Sequence, residues 1–225
     1  MVVVYCLTRN LYEHIKSNVN NILYYHPDAK FYLIIEDDYI EALKNCNNIT
    51  FINVNKINIG IDDTNPNWNN KWTYMNFLRC FIPNLIKEDR CLYLDCDTMI
   101  LGKIDELYNM DLGNNLFGGC KFFLAKNYGT AVMVMNLKQM RKEHLTEKVI
   151  DEFNKKVYPL PDEQVLNLLC KDRIKGFHRK FCSCEFNGES LNPVLVHCTP
   201  IKQWTEYSPY YNEYLKFKSI KEVLE

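Results

Sequence analysis

Short apolar segments typical of strands alternate with longer segments typical of helices along most of this chain. The strand-type segments are residues 2–7, 30–35, 49–54, 91–94, 116–121 and 131–135. The helix-type segments are residues 12–25, 39–46, 72–82, 138–156 and 162–170. Because such alternation builds layered folds in which helices cover a sheet, the pattern predicts an α/β fold.

Two carboxylates, Asp95 and Asp97, directly follow the apolar segment 91–94. Strand residues two apart point to the same side, so this pair is expected together at the carboxyl end of the strand. Like charges that close raise each other's pKa unless a cation lies between them. Mg²⁺ and Mn²⁺ favour such oxygen ligands, usually completed by substrate phosphates. We interpret the pair as a metal–phosphate site; the structural alternative is a solvated pair that caps the next turn.

Composition narrows the class of protein. A chain of 225 residues fits one α/β domain, and its 47% hydrophobic content can fill a sizeable core. The formal charge of −1 argues against broad binding of nucleic acid. No apolar run approaches the length of a signal sequence or membrane span, although peripheral membrane contact stays open. The ten cysteines are scattered, which favours a cytoplasmic protein with reduced thiols.

Three further groups of residues carry chemistry. Asp162 and Glu163 open a helix-type segment, where acids are common caps, but Glu163 could instead face a reacting centre. The helix dipole there predicts an ionised Glu163 at neutral pH. His197 ends an apolar run and Lys202 follows it, so they could supply an imidazole to a metal and an ammonium to a phosphate. Arg79 is either a surface charge or a partner for a carboxylate or phosphate.

Taken in order, these segments resemble the retaining family 8 glycosyltransferases, which include bacterial lipopolysaccharide galactosyltransferases and glycogenin. The resemblance covers residues 2–204. It rests on five motifs: the first strand with Thr8-Arg-Asn10, the Arg79 segment leading into Asp95-Cys-Asp97, the strand before Asn136-Leu-Lys138, the acidic start at Asp162, and the segment from His197 to Trp204. Each motif is short, and their shared order makes the resemblance specific.

The resemblance implies a single GT-A domain over residues 1–225, a Rossmann-like α/β fold around a mixed, mostly parallel sheet. Residues 1–100 would form the nucleotide-binding half, and residues 101–225 the acceptor half with the C-terminal helices. The implied activity moves a hexose from a nucleotide sugar, favoured to be a UDP-sugar, to a saccharide or other hydroxyl acceptor with retained configuration.

The resemblance also assigns roles to residues. Mn²⁺ or Mg²⁺ would be held by Asp95, Asp97 and His197. Lys202 would lie near the donor diphosphate, where its charge and that of the cation would stabilise the leaving group. The residues around the nucleoside would be Thr8, Asn10 and Arg79, and the catalytic candidates are Glu163 and Asp162.

Three departures from the family pattern bear on mechanism. Gly129-Thr-Ala131 stands where the family usually has Asn, a small residue and Gly, and Thr199-Pro200 stands where a glycine is expected, with Lys202 one residue early. Glu163 replaces the usual Gln. A retaining transferase either forms a covalent glycosyl-enzyme or reacts on one face through an ion pair, and a carboxylate suits the covalent route better than an amide.

Other functions remain open at this point. Asp95-Cys-Asp97-Thr98 also fits haloacid-dehalogenase-like phosphatases with Asp95 as nucleophile, although that motif normally ends the first strand and about ninety residues precede it here. A non-catalytic nucleotide-sugar binding domain is a second alternative. A zinc site is a third, although its spacing fits no familiar template; its ligands would come from Cys182, Cys184, Cys170, His178 and Cys198.

Overall fold

The computed structural model describes residues 1–62, 64–68 and 74–220. Its strands are β1 (Val2–Leu7), β2 (Lys30–Ile35), β3 (Ile49–Asn53), β4 (Cys91–Leu94), β5 (Thr98–Ile100), β6 (Phe117–Lys121), β7 (Tyr128–Met135), β8 (Ile174–Phe177) and β9 (Leu195–His197). Its helices are α1 (Tyr12–Tyr25), α2 (Ile82–Leu85), α3 (Asp105–Tyr108), α4 (Leu137–Lys142), α5 (Leu145–Lys155), α6 (Pro161–Leu169) and α7 (Tyr211–Lys218).

Seven of these strands form one sheet in the order β3-β2-β1-β4-β7-β6-β8. Strand β7 runs antiparallel to both β4 and β6, and the other neighbouring pairs are parallel. The expected α/β fold with a mixed, mostly parallel central sheet is therefore confirmed. The carboxyl ends of β1, β2 and β4 meet at one edge, where open α/β sheets bind their ligands.

Helices cover both faces of the sheet. Along β1, Val3 and Leu7 point to the side covered by α1, where they pack in one core with Ile15. Val4 points to the opposite side and packs in a second core with Val165 of α6. This alternation explains why β1 is apolar at nearly every position. Within the described residues, no helix combines the length and apolarity that crossing a bilayer requires.

Two helix predictions were wrong in extent. Residues 39–46 form only a 3₁₀ turn at Glu41–Leu43, because Ile40 and Leu43 are the only fully buried side chains of the segment and cannot anchor a longer helix. The segment 138–156 divides into α4 and α5 at His144, whose left-handed backbone (φ 53°) cannot continue a right-handed helix. For the prediction over 72–82, residues 72 and 73 lie outside the described part, and the rest forms a 3₁₀ helix, Tyr74–Cys80, leading into α2.

Strands β5 and β9 form a separate two-stranded antiparallel ribbon. Its register pairs Thr98 with His197 and Ile100 with Leu195. The segment just after β4 is thereby placed beside a segment about a hundred residues later in the chain. The ribbon therefore determines which side chains lie near Asp95 and Asp97.

Candidate active site

The turn that carries the carboxylates is fixed by its backbone. Asp95 N–H donates to the carbonyl of Ala131 on β7 at 2.8 Å. The Thr98 N–H and hydroxyl both donate back to the Asp95 carbonyl, at 3.1 and 2.7 Å. These bonds hold Asp95 at the end of the main sheet and return the chain into the ribbon, so that Asp97 lies beside β9.

Asp95, Asp97 and His197 converge: one potential ligand atom from each lies within 4.8 Å of the others. The Nε2 of His197 is 3.3 Å from Oδ1 of Asp97, and the Lys202 ammonium donates to the other oxygen of Asp97. Two carboxylates and an imidazole suit Mn²⁺ or Mg²⁺, with open positions for substrate oxygens. The residues present therefore fit a divalent cation.

The cysteines of the alternative zinc site do not gather in this way. Throughout the described residues, the Asp-Asp-His cluster is the only group of three or more His, Cys, Asp or Glu side chains close enough to hold a metal ion. The structure thus favours an oxygen-rich site over a thiolate site.

The charges and the burial of the cluster shift the pKa values of its carboxylates in opposite directions. Burial alone would raise the pKa of Asp97, but His197 and Lys202 outweigh it and hold that pKa below its ordinary value. Burial raises the pKa of Asp95, against the opposing charge of Arg79 and with added repulsion from Asp97. Burial disfavours the charged imidazole, yet Asp97 raises the pKa of His197 to about 10. A metal must therefore displace the proton of His197 before the imidazole can coordinate it.

Arg79 lies on the floor of the site rather than on the surface, and only 3% of it is exposed. Its guanidinium is 2.9 Å from Oδ1 of Asp95 and 3.3 Å from Oδ2 of Asp162. It also donates to the carbonyl and hydroxyl oxygens of Thr130, at 3.0 and 3.1 Å, and stacks 4.7 Å from the ring centre of Tyr93. Arg79 therefore joins the carboxylate that directly follows β4 to a carboxylate of α6.

Asp162 and Glu163 both face the site from the first turn of α6, but differently. Asp162 is buried and accepts the hydroxyl of Thr130 at 3.0 Å in addition to its ion pair with Arg79. Glu163 is half-buried, and burial, with repulsion from Asp162, raises its pKa to about 7 against the opposing charge of Arg79. Burial of Glu163 therefore works against its predicted ionisation at neutral pH.

Thr8 and Asn10 lie at the carboxyl end of β1, where the Thr8 hydroxyl donates to the Asn10 side chain. Between them, Arg9 binds both carboxylate oxygens of Asp37, at 2.9 and 3.0 Å, and its N–H donates to Glu36 at 2.8 Å. The segment after β1 is thereby fixed to the segment after β2. Glu36 and Asp37 were not expected to contribute to the candidate site, because nothing in their sequence pattern distinguishes them from a solvated turn.

A cavity of about 880 Å³ connects these elements. Seven of the nine candidate residues line the cavity. Thr8 and Asn10 do not, although Cys6 and Leu11 from the same segment do. Its outer wall is apolar: Phe122, Phe123, Leu124, Leu160 and Phe186. A cavity of this size, with both polar and apolar side chains in its lining, can enclose most of a nucleotide sugar.

Buried amides that the sequence analysis did not single out hold the turn between Asp95 and Asp97. The side-chain N–H groups of Asn18 and Gln203 both donate to the carbonyl of Cys96, at 2.7 and 2.8 Å. Asn21 exchanges two bonds of 2.9 Å with the backbone of Ile100, as a neighbouring strand would. The available signal was the spacing of Asn18 and Asn21, three residues apart on the buried face of α1.

A mixed sheet in this order, with an Asp-x-Asp turn and a His–Lys segment facing one cavity, defines a glycosyltransferase of the GT-A type. The model of the family described as "Glycosyl transferase family 8" matches residues 2–130, more than half of the sequence. The chain belongs to this family.

Solved structures share the fold. The galactosyltransferase LgtC, crystallised in complex with donor and acceptor sugar analogs, superposes with a TM-score of 0.80 at 19% identity, over 97% of this chain and 95% of that one. The glycosyltransferase GlyE of Streptococcus pneumoniae TIGR4 gives 0.75 at 18% identity, over 97% of this chain and 60% of that one.

Curated relatives are longer. The glycosyltransferase GlyA of Streptococcus pneumoniae serotype 4 is 28% identical over 206 residues, which cover 87% of this chain and 27% of GlyA. GlyE of the same organism is 31% identical over 122 residues, which cover 51% of this chain and 30% of GlyE. The matched region thus spans less than a third of either relative.

Proposed function

We propose that this chain is a metal-dependent retaining glycosyltransferase that moves a hexose from a UDP-sugar to a hydroxyl group of a saccharide or another acceptor. The observation that carries the proposal is the convergence of Asp95, Asp97 and His197 at the end of a cavity that also contains Lys202 and Glu163. Residues 1–100 would supply the nucleotide-binding half and residues 101–225 the acceptor half.

In this proposal Asp95, Asp97 and His197 hold Mn²⁺ or Mg²⁺. When bound, the cation neutralises the charge that develops on the departing diphosphate. The Lys202 ammonium, which is the counter-ion of Asp97 in the structure, would turn to the same diphosphate and stabilise it further.

Thr8 and Asn10 would contact the nucleoside from the rim of the cavity. A nucleoside contact by Arg79 stays a prediction. The burial of Arg79 between Asp95 and Asp162 supports a second role, in which it fixes the two carboxylates at the sugar end of the site.

Retention is assigned to Glu163 because Asp162 is already engaged by Arg79 and Thr130. The Glu163 carboxylate would form a bond to the anomeric carbon while the bond to the diphosphate breaks, and the electron pair leaves with UDP. The acceptor hydroxyl would then displace the carboxylate on the opposite face, and its proton would pass to a diphosphate oxygen. The alternative assigns this chemistry to Asp162 and a capping role to Glu163.

The proposal includes a cytoplasmic location. Nine of the ten cysteines are buried and form no disulfide bond. Buried free thiols are typical of proteins in a reducing compartment, where glutathione keeps thiols reduced.

The test is release of UDP from a series of UDP-sugars, with and without Mn²⁺, slow to water and faster once an acceptor is supplied. Hydrolysis of simple phosphomonoesters, with trapping of fluoroberyllate on Asp95, would instead identify the phosphatase alternative. Tight Mn²⁺-dependent binding of UDP-sugars without turnover for any acceptor would identify a binding domain. Exposed Glu189→Gln is the matched control and should behave as the parent does.

A further inference from the structure

Gln203 connects the segment after β9 to the Asp-x-Asp turn. Its side-chain amide donates to the carbonyl of Cys96 at 2.8 Å and, more weakly, to that of Thr98 at 3.5 Å. Its neighbours Lys202 and Trp204 line the cavity, whereas Gln203 is fully buried and is not among the described residues that line it. The amide of Gln203 is therefore anchored within the protein rather than presented to a substrate.

The segment is also fastened on either side of this contact. The carbonyl of Lys202 accepts the N–H and the hydroxyl of Thr205, at 3.0 and 2.7 Å. Earlier in the segment, the Cys198 N–H donates to the carbonyl of Asp97 at 2.7 Å. Lys202 therefore projects from a fixed backbone, and from there its ammonium donates to the Asp97 carboxylate.

Stability alone does not account for a glutamine at position 203. The carbonyl of Cys96 already accepts the side-chain amide of Asn18 at 2.7 Å, so Gln203 is not needed to satisfy it. The amide oxygen of Gln203 is buried and has no hydrogen-bond partner among the described residues. Burial of an unpaired amide oxygen is unfavourable, so a methionine of similar size would suit the fold at least as well.

We propose that Gln203 is a positioning residue for Lys202: its bond to the Cys96 carbonyl holds the Lys202 backbone over the Asp-x-Asp turn, so that the ammonium reaches the groups bound there. The lysine stem is flexible, and a fixed backbone limits the freedom that the side chain loses on binding. In the structure the ammonium meets Asp97, and in the proposed function it turns to the donor diphosphate. The inference rests on that proposed function.

The experiment measures UDP affinity by calorimetry with Mn²⁺ present, in the parent, Gln203→Met, Lys202→Met and the double variant. A hydrogen bond from the Lys202 ammonium to the diphosphate predicts a loss of about tenfold to a hundredfold for Lys202→Met. Gln203→Met should lose about tenfold, because the ammonium is then less well placed. The double variant should bind about as Lys202→Met does, because Gln203 acts through a lysine that is no longer there.

Thermal unfolding of the same variants separates this role from a structural one. Gln203→Met keeps Asn18 on the Cys96 carbonyl and should melt within a few degrees of the parent.

Asn20→Leu is the matched control. Asn20 is fully buried, its amide donates to the carbonyl of Phe217 at 2.9 Å, and its oxygen has no partner within the described part of the chain. Because Asn20 does not line the cavity, Asn20→Leu should bind UDP as the parent does.

Unchanged UDP affinity in Gln203→Met, with a parent that binds UDP, would overturn the inference and leave the proposed function intact. A double variant whose loss is the product of the two single losses would also overturn it, because Gln203 would then act independently of Lys202. A melting temperature of Gln203→Met far below that of the parent would do the same, because the amide would then serve the fold. A parent without affinity for UDP would refute the proposed function and this inference with it.

Discussion

Replacing Glu163 with Gln should make the protein more stable at alkaline pH and leave its stability nearly unchanged in acid. Burial, with repulsion from Asp162, raises the pKa of Glu163 from 4.5 to about 7. At about 1.4 kcal/mol per pKa unit, this shift corresponds to about 3 kcal/mol of destabilisation by the ionised carboxylate. Because Glu163 is only half-buried, we expect about 2 kcal/mol.

The sign follows from linkage. A group whose pKa is raised by folding binds its proton more tightly in the native state, so the parent keeps its full stability below about pH 4.5 and loses it as pH rises through about 7. The amide of Glu163→Gln does not ionise. The difference in the free energy of unfolding between variant and parent should therefore grow in favour of the variant from pH 5 to pH 8 and level off above that.

Urea unfolding followed by circular dichroism at several pH values measures this difference. A chelator is present, because a bound cation would favour the ionised carboxylate. Exposed Glu189→Gln serves as the control and should show no comparable trend. A stability difference for Glu163→Gln that stays constant from pH 5 to pH 8.5 would refute the argument that burial controls this carboxyl group.

Three further outcomes are expected. Asp97→Ala should abolish Mn²⁺-dependent UDP binding in calorimetry while the circular dichroism spectrum stays native; undiminished UDP affinity would contradict the metal assignment. Glu163→Gln should lower turnover by several orders of magnitude with nearly unchanged donor affinity, whereas activity within about tenfold of the parent, roughly 1.4 kcal/mol in the barrier, would reduce Glu163 to a cap. Arg79→Leu should cost about 3–5 kcal/mol in urea unfolding, because it leaves buried Asp95 and Asp162 without their cation; a loss below about 1 kcal/mol would show that they need no such partner.

The periodicity of apolar residues was sufficient to predict several strands and the first helix. The strand-type segments 2–7 and 91–94 and the helix-type segment 12–25 coincide with β1, β4 and α1. The helix predicted over 39–46 was wrong because propensity alone does not reveal how few of its side chains find a buried partner. The break at His144 was missed because a left-handed residue other than glycine leaves no clear sequence signal.

The residues of the candidate site also divide into those that the sequence predicted and those that it did not. The family resemblance predicted that Asp95, Asp97 and His197 lie together, and the structure brings them together: the two carboxylates follow β4 and His197 ends β9. Thr130 was not expected as a partner of Arg79. Their contact arises from elements that only the folded chain makes neighbours.

The ribbon of β5 and β9 has a mechanical consequence for the candidate cation site. Asp97 and His197 are attached to the ribbon, whereas Asp95 is attached to the main sheet through Ala131. A seam therefore runs between Asp95 and the other two candidate ligands. Any tilt of the ribbon would preserve the spacing of Asp97 and His197 but change their distance to Asp95. The amide of Asn21 fastens β5 of the ribbon to α1, and the amide of Asn18 fastens the turn at Cys96 to the same helix, so α1 restrains the seam.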